Sequence, residues 1–158
     1  MSLLNIIFRK ATSLDVSIVC LLADDSLGAS REQYSEPVSP KYYATFEEIS
    51  TDKNSYLIVA ELDNQIVDTL QLTFITYLTY QGGKRALIEG VRTDKSIRGQ
   101  GIGKAILEWA IHKAKEENCH IVQLTTDKKR PDALEFYKKL GFVASHEGMK
   151  LHLASCDG

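Results

Sequence analysis

The sequence predicts a mixed α/β fold built on a mostly antiparallel sheet, and three observations carry that prediction. Two β-rich runs, "SYLIVAEL" and "QIVDTLQLTFITYLTY", flank the turn residues Asp63 and Asn64, as a hairpin requires. A glycine run at Gly99, Gly101 and Gly103 then opens an amphipathic stretch in which Ile102, Ala105, Ile106, Trp109, Ala110 and Ala114 follow helical spacing. Finally "CHIVQLTT" is a near-continuous apolar run of the kind buried on both faces in parallel pairing.

The other elements follow in chain order. "LLNIIFRKA" suits a first strand, and "TSLDVSIVCLLADD" a helix with Leu14, Ile18, Leu21 and Leu22 on one face and Thr12 or Ser13 as its cap. Ser26 to Pro40 is polar, holds two of the three prolines and has no period, so it reads as a loop with at most a broken helix. "KYYATFEEI" resumes a helical pattern. In the second strand of the hairpin, Ile66, Leu70, Leu72 and Phe74 form the greasier face. A turn at Gln81–Gly83 leads into "KRALIEGVRT", where Gly90 marks a bulge or a close backbone approach. "RPDALEFYKKLGF" is a helix with Pro131 in its first turn and Gly141 just past its end, and "MKLHLA" is a closing strand.

The 158 residues fit a single domain, 1–158, able to bury a core without disulfides or a structural metal. A net charge of -2 gives no global reason to expect nucleic acid or an anionic membrane as partner. The three cysteines, Cys20, Cys119 and Cys156, have no metal-ligand spacing and read as reduced structural residues. "MSLLNIIFRK" lacks the features of a secretory signal and is too short in apolar residues to span a membrane, so a cytoplasmic location is expected.

"VRTDKSIRGQGIGKA" is the stretch that carries chemistry. Each glycine weakens a helix by roughly 1 kcal/mol relative to alanine. In return the backbone is opened: the first-turn N–H groups lack intrahelical partners, point outward and favour an anion, and no Cβ blocks its approach. Phosphate is the natural guest, with Arg98 and Lys104 adding charge at the rim. The Walker loop G-x-x-x-x-G-K-[ST] fails, because Arg98 stands at its first glycine and Ala105 at its hydroxyl. The dinucleotide fingerprint G-x-G-x-x-G fails on spacing and on the hairpins that precede it.

"RGQGIG" resembles the R-G-x-G-x-G acyl-CoA signature of the GNAT superfamily of N-acetyltransferases, and "ALEFYKKLGF" resembles that superfamily's second signature downstream. The resemblance implies a sheet splayed between the strand before the glycine loop and the strand after the helix, with the pantetheine arm of acetyl-CoA filling the gap. It implies that the backbone of Val91 and Thr93 bonds the pantetheine amides. Arg98, Gly99, Gln100, Gly101, Ile102, Gly103 and Lys104 then cradle the pyrophosphate, with Arg92 beside them on the strand. Tyr137 matches the general acid facing the CoA sulfur, or else is a core tyrosine; Phe136 beside it is core. Glu89 is the candidate base acting through water, or else a strand carboxylate that is solvated or paired with Arg85 or Arg92. A backbone N–H at Gly90 or Val91 is the candidate oxyanion donor.

The chain departs from the pattern at two places. Arg130 replaces an asparagine common three residues before the alanine of the second signature, so Arg130 and Lys128 are candidates to reach the cofactor phosphates instead; Asp68 stands where a glycine is common. His112, His120, His146 and His152 are isolated, and Cys119 has no partner base.

The expected activity is therefore acetyl transfer from acetyl-CoA, without a metal, to an amine of a small molecule or protein in a ternary complex. The alternative is a non-catalytic acyl-CoA-binding or regulatory module on the same fold. A nucleic-acid-associated regulator is disfavoured by charge, and a homodimer is expected. Ser26 to Pro40, Thr73 to Tyr80 and the loop near His146 are the segments expected to shape the acceptor site, with Glu32 and Glu36 either attracting a cationic amine or simply solvated.

Overall fold

The structure is a computed structural model that describes residues 5–154. Its sheet has the order β1-β2-β3-β4-β5: β1 (Ile7–Lys10), β2 (Ser55–Leu62), β3 (Gln65–Thr76), β4 (Lys84–Thr93) and β5 (Ile121–Leu124). The first four strands pair antiparallel, and β4 and β5 run parallel. The mixed, mostly antiparallel α/β fold expected from the sequence is the fold found. The chain divides into two compact units, 1–123 and 124–158.

The β2–β3 hairpin closes through Asp63 and Asn64, both at positive φ (50° and 64°), the two-residue turn whose twist matches its strands. Both faces of β3 are covered from Val67 to Leu70, after which burial alternates through Leu72 and Phe74 as the greasy face requires. The strand stops at Thr76 rather than running on to Tyr80. The chain there enters a short helical turn, α4 (Thr79–Gly82), with Tyr80, Gln81 and Gly82 at positive φ.

Three helices precede the hairpin: α1 (Ser17–Leu22), α2 (Ser26–Arg31) and α3 (Pro40–Thr51). The first starts later than its apolar spacing suggested and is capped by neither Thr12 nor Ser13. Residues 12–15 are held instead in a turn by Asp15, whose carboxylate accepts the Thr12 N–H (2.7 Å) and both Arg9 terminal nitrogens (2.8 Å each). Bonding to Arg9 keeps the Asp15 carboxyl below its usual range. Leu14 therefore lies outside the helix and is exposed, whereas Ile18 and Leu21 are buried. The segment Ser26–Pro40 contains a regular helix, α2, over its first six residues, with Asp25 as cap accepting the Gly28 N–H (2.6 Å).

The long helix α5 (Ile102–Glu116) buries Ile102, Ile106, Leu107, Ala110 and Ala114 and packs on β3 and β4. In the second unit, α6 (Pro131–Lys139) begins on Pro131. It ends in a Schellman arrangement around Gly141 (φ 100°), with Gly141 N–H on the Lys138 carbonyl and Phe142 N–H on that of Tyr137. The closing strand expected at Met149–Ala154 does not form. Met149, Leu151 and Leu153 are exposed, and alternation makes a strand only where another strand supplies hydrogen-bond partners. Cys156 and the start of the first predicted strand, Leu3 and Leu4, lie outside the described residues. No described helix is long and apolar enough to cross a membrane.

Candidate active site

The site is built around one irregularity in β4. Thr93 and Arg92 face Asp68 and Thr69 of β3, but Glu89 faces Gln71, so Gly90 and Val91 together oppose Leu70. That is a β-bulge, and Gly90 sits in it at φ 63°, where a side chain is strained. The bulge predicted from an isolated strand glycine is therefore present. It divides two environments.

Beyond the bulge, β4 ends at Thr93 and the chain passes through a 3-10 turn (Lys95–Ile97) to the glycine run. Asp94 ties this turn down: its carboxylate accepts the Ser96 N–H (2.9 Å) and hydroxyl (2.8 Å), which hold its carboxyl below the ordinary range. Buried Ile97 and Ile102 clamp the exposed Arg98–Gly101 segment at both ends. Gly99 and Gly101 take left-handed conformations (φ 82° and 85°), and Gly101 is the N-cap of α5. This 15-residue helix has no side-chain cap and no acidic residue in its first turn, so its leading N–H groups and dipole are offered outward. Arg98 lies over the loop, its Nε on the Thr93 carbonyl (3.4 Å) and a terminal nitrogen 3.5 Å from Asp24, which also meets Lys95 at 3.3 Å. Lys104 pairs with Glu108 along the helix (3.7 Å). Gln100 and Gly103 complete the loop, the first exposed and the second half-buried. A diphosphate fits this cradle on its donor chemistry: backbone N–H groups, two cations and no carboxylate in the helix's first turn.

On the other side of the bulge lies a cavity of about 190 Å³. Its apolar wall is Ile18, Leu22 and Leu57; its polar lining is Glu32, Thr69, Gln71 and Glu89, with Gly90 at the bulge. Glu89 is exposed and forms no ion pair with Arg85 or Arg92. The Arg85 guanidinium lies over Tyr77 (4.6 Å) and bonds Gln123 (3.1 Å), and Arg92 bonds the Val91 carbonyl (2.7 Å). Glu32 is held by the Tyr42 hydroxyl (2.7 Å), which itself accepts the Gln33 N–H (3.0 Å). Burial, helped by Glu32, raises the Tyr42 hydroxyl above its ordinary range, so it stays a donor. A larger cavity, about 370 Å³, is lined by Arg9, Asp15 and Glu61 among others; the single guanidinium of Arg9 bonds both carboxylates, at 2.8 and 2.9 Å.

Asp68, on β3 opposite Thr93, is fully buried. One oxygen accepts the Thr93 hydroxyl (2.6 Å) and the other has no hydrogen bond. Burial pushes its carboxyl up to about 7, against the downward pull of the Thr93 hydroxyl and the neighbouring Thr69 amide. The Asp68 that departs from the signature thus holds the side chain of Thr93, the residue expected to bond pantetheine through its backbone.

Tyr137 lies on α6 in the second unit, half-buried between Phe136 and Phe142, its ring centroid 5.4 and 5.9 Å from theirs. Arg130 is the N-cap residue of the same helix. Cys119 is half-buried, and burial raises its thiol, the opposite of an activated nucleophile. His112 pairs with Glu116, His120 stacks on Tyr80 and His146 bonds Ser145.

Sequence reasoning missed Asp24, Tyr42 and Gln71. The first meets Arg98 from the turn between α1 and α2, the second bonds Glu32 from α3, and the third lines the cavity from β3, so no local spacing signals them. Of the segments expected to shape the acceptor site, Ser26–Pro40 supplies Glu32. The strand contributes Thr69 and Gln71, upstream of the expected Thr73–Tyr80.

The sequence pattern described as the Acetyltransferase (GNAT) family matches residues 25–142, and the chain belongs to that family. It is 35% identical to a glucosamine 6-phosphate N-acetyltransferase of Trypanosoma brucei brucei over 56% of this chain and 58% of that protein. The curated relatives it matches first are covered over 25 to 58% of their own length. Among solved structures, it is 56% identical to one described as a transcriptional regulator from Bacillus halodurans C-125, with a TM-score of 0.91 over 94% of this chain and 99% of that one. A predicted acetyltransferase with acetyl-CoA from Clostridium acetobutylicum is 28% identical, with a TM-score of 0.71 over 94% and 96%.

Proposed function

We propose that this chain transfers the acetyl group of acetyl-CoA to a primary amine of a small molecule or protein by direct attack in a ternary complex. The observation that carries the reading is the uncapped, glycine-opened start of α5, one bulge away from a cavity that holds an unpaired carboxylate, Glu89. The solved relative with acetyl-CoA supports the cofactor.

In this reading Arg98 to Lys104 bind the pyrophosphate, and the Val91 and Thr93 backbone groups bind the pantetheine arm. Glu89 takes the amine's proton through water, freeing the nitrogen lone pair to form the N–C bond. A bulge N–H at Gly90 or Val91 stabilises the developing oxyanion. As the C–S bond breaks, Tyr137 protonates the leaving thiolate, and Arg130 meets a cofactor phosphate. The whole chain acts as one domain, with a homodimer as its assembly and the cytoplasm as its location.

A second reading, an acyl-CoA-binding regulatory module, is favoured by the relative described as a transcriptional regulator. Free CoA release across an amine panel separates the two. The enzyme gives amine-dependent release that falls at least tenfold in Tyr137→Phe. The regulatory module binds acetyl-CoA in calorimetry and releases none.

A further inference from the structure

The acceptor-side cavity has a chemical signature that the family assignment does not supply. Its ionic lining is acidic, Glu32 and Glu89, with Gln71 beside them and no lysine, arginine or histidine among its lining residues. The Thr69 hydroxyl is committed to the Ile58 carbonyl (2.9 Å). A phosphate or carboxylate on an acceptor would find no cation there and two like charges instead.

The two carboxylates differ in how they are held. Glu89 stands next to the bulge, where the reacting nitrogen is placed by the function proposed above. Glu32 comes from the loop after α2 and is fixed on one oxygen by Tyr42, leaving the other oxygen without a partner among the described residues. Its neighbour Glu36 is different: it lies outside the cavity lining and takes the Tyr34 hydroxyl (2.7 Å). Between the two cavity carboxylates, Ile18, Leu22 and Leu57 supply an apolar wall suited to methylenes. Tyr42 orients a carboxylate that no cation among the described residues meets, an arrangement that serves a cationic guest.

We propose that the acceptor is a small aliphatic diamine, its reacting nitrogen at Glu89 and its second ammonium bound by Glu32. Glu32 is then the specificity-determining residue, and Tyr42 positions it. The cavity's volume, about 190 Å³, suits a compact guest, being below the roughly 300 Å³ at which drug-sized ligand sites begin.

This inference rests on the acetyl-transfer reading, and its test separates the two. Steady-state CoA release is measured with 1,4-diaminobutane, 1-aminobutane and glucosamine 6-phosphate, on wild type, Glu32→Gln and Tyr42→Phe. The expected KM for 1,4-diaminobutane is about tenfold below that for 1-aminobutane, one charge-assisted contact. Glu32→Gln removes that advantage by raising the diamine KM, with kcat and the monoamine KM unchanged. Tyr42→Phe, which keeps the carboxylate, moves the diamine KM the same way by about threefold. Equal KM values for the two amines, a preference for the phosphorylated amine, or an equal effect of Glu32→Gln on both amines would overturn the inference and leave acetyl transfer standing. If no amine releases CoA, calorimetry of 1,4-diaminobutane into the CoA-loaded protein decides. Heat that is lost in Glu32→Gln sustains the diamine site while transfer falls, and no heat overturns the site as well.

Discussion

The two sides of the Gly90–Val91 bulge are made of different material. On the cofactor side the functional groups are backbone N–H donors and two cations within one short stretch, Arg98 to Lys104, held by Ile97 and Ile102. On the acceptor side they are carboxylates and an amide contributed by α2's following loop, β3 and β4. A backbone cradle can hold a phosphate with little help from side chains, because such recognition requires chiefly glycine freedom and a helix start. A side-chain pocket can be altered one residue at a time without disturbing that cradle. The contrast teaches that the two sides can be tested apart: the helix start through its backbone, the cavity through its side chains.

Glu89→Gln gives the largest expected effect on this comparison. It removes the proposed base while leaving the cradle intact, so kcat falls on the order of 10³-fold and acetyl-CoA affinity is unchanged. Single-turnover kinetics with calorimetry would check both halves, and a parallel loss of affinity would mean the two sides are not separable.

Asp68 holds Thr93 on the cradle side and should dominate the pH dependence of stability. Its folded-state value of about 7 lies above the unfolded value of 3.8. Between these values the unfolded chain has released the proton and the folded chain retains it. Stability therefore declines as pH rises from about 4 to 7, by roughly 4 kcal/mol in total, and levels off above that range. Asp68→Asn keeps an acceptor for the Thr93 hydroxyl and abolishes this slope. Denaturant unfolding at pH 5 and pH 8 measures it, and equal slopes in both proteins would contradict the burial of an ionisable group there.

The smallest expected effect concerns Arg98. Asp24 lies 3.5 Å from it and 3.3 Å from Lys95, in an exposed cluster worth little to stability. Asp24→Asn should tighten acetyl-CoA binding about threefold at low salt, because the loop cations lose a competing carboxylate, with the gain fading as salt rises. An affinity indifferent to the substitution would remove Arg98 from the cofactor site.

The same contrast explains what was legible in the sequence. The glycine loop is contiguous, so glycine spacing and the following apolar stripe announced the opened helix start. Gly90 announced the bulge because an isolated strand glycine has few other uses. The acceptor cavity joins Ile18 to Glu89 across four elements, and no periodicity encodes which loop carboxylate turns inward; Glu32 and Glu36 were indistinguishable until Tyr42 and Tyr34 were seen to take one each. The start of α1 was misplaced because Asp15 has a stronger claim on Thr12 than a helix cap does. The strand at Met149–Ala154 was misplaced because alternation records a preference and pairing requires a partner.

The central claim is that the opened start of α5 holds the pyrophosphate of acetyl-CoA, and calorimetric titration of acetyl-CoA tests it most directly. Wild type should bind, and Gly101→Ala combined with Gly103→Ala should weaken binding at least 100-fold. The φ of 85° at Gly101 strains any side chain, and the added Cβ atoms crowd the N–H groups. A variant that keeps its cooperative thermal transition and still binds acetyl-CoA with wild-type affinity would contradict the claim.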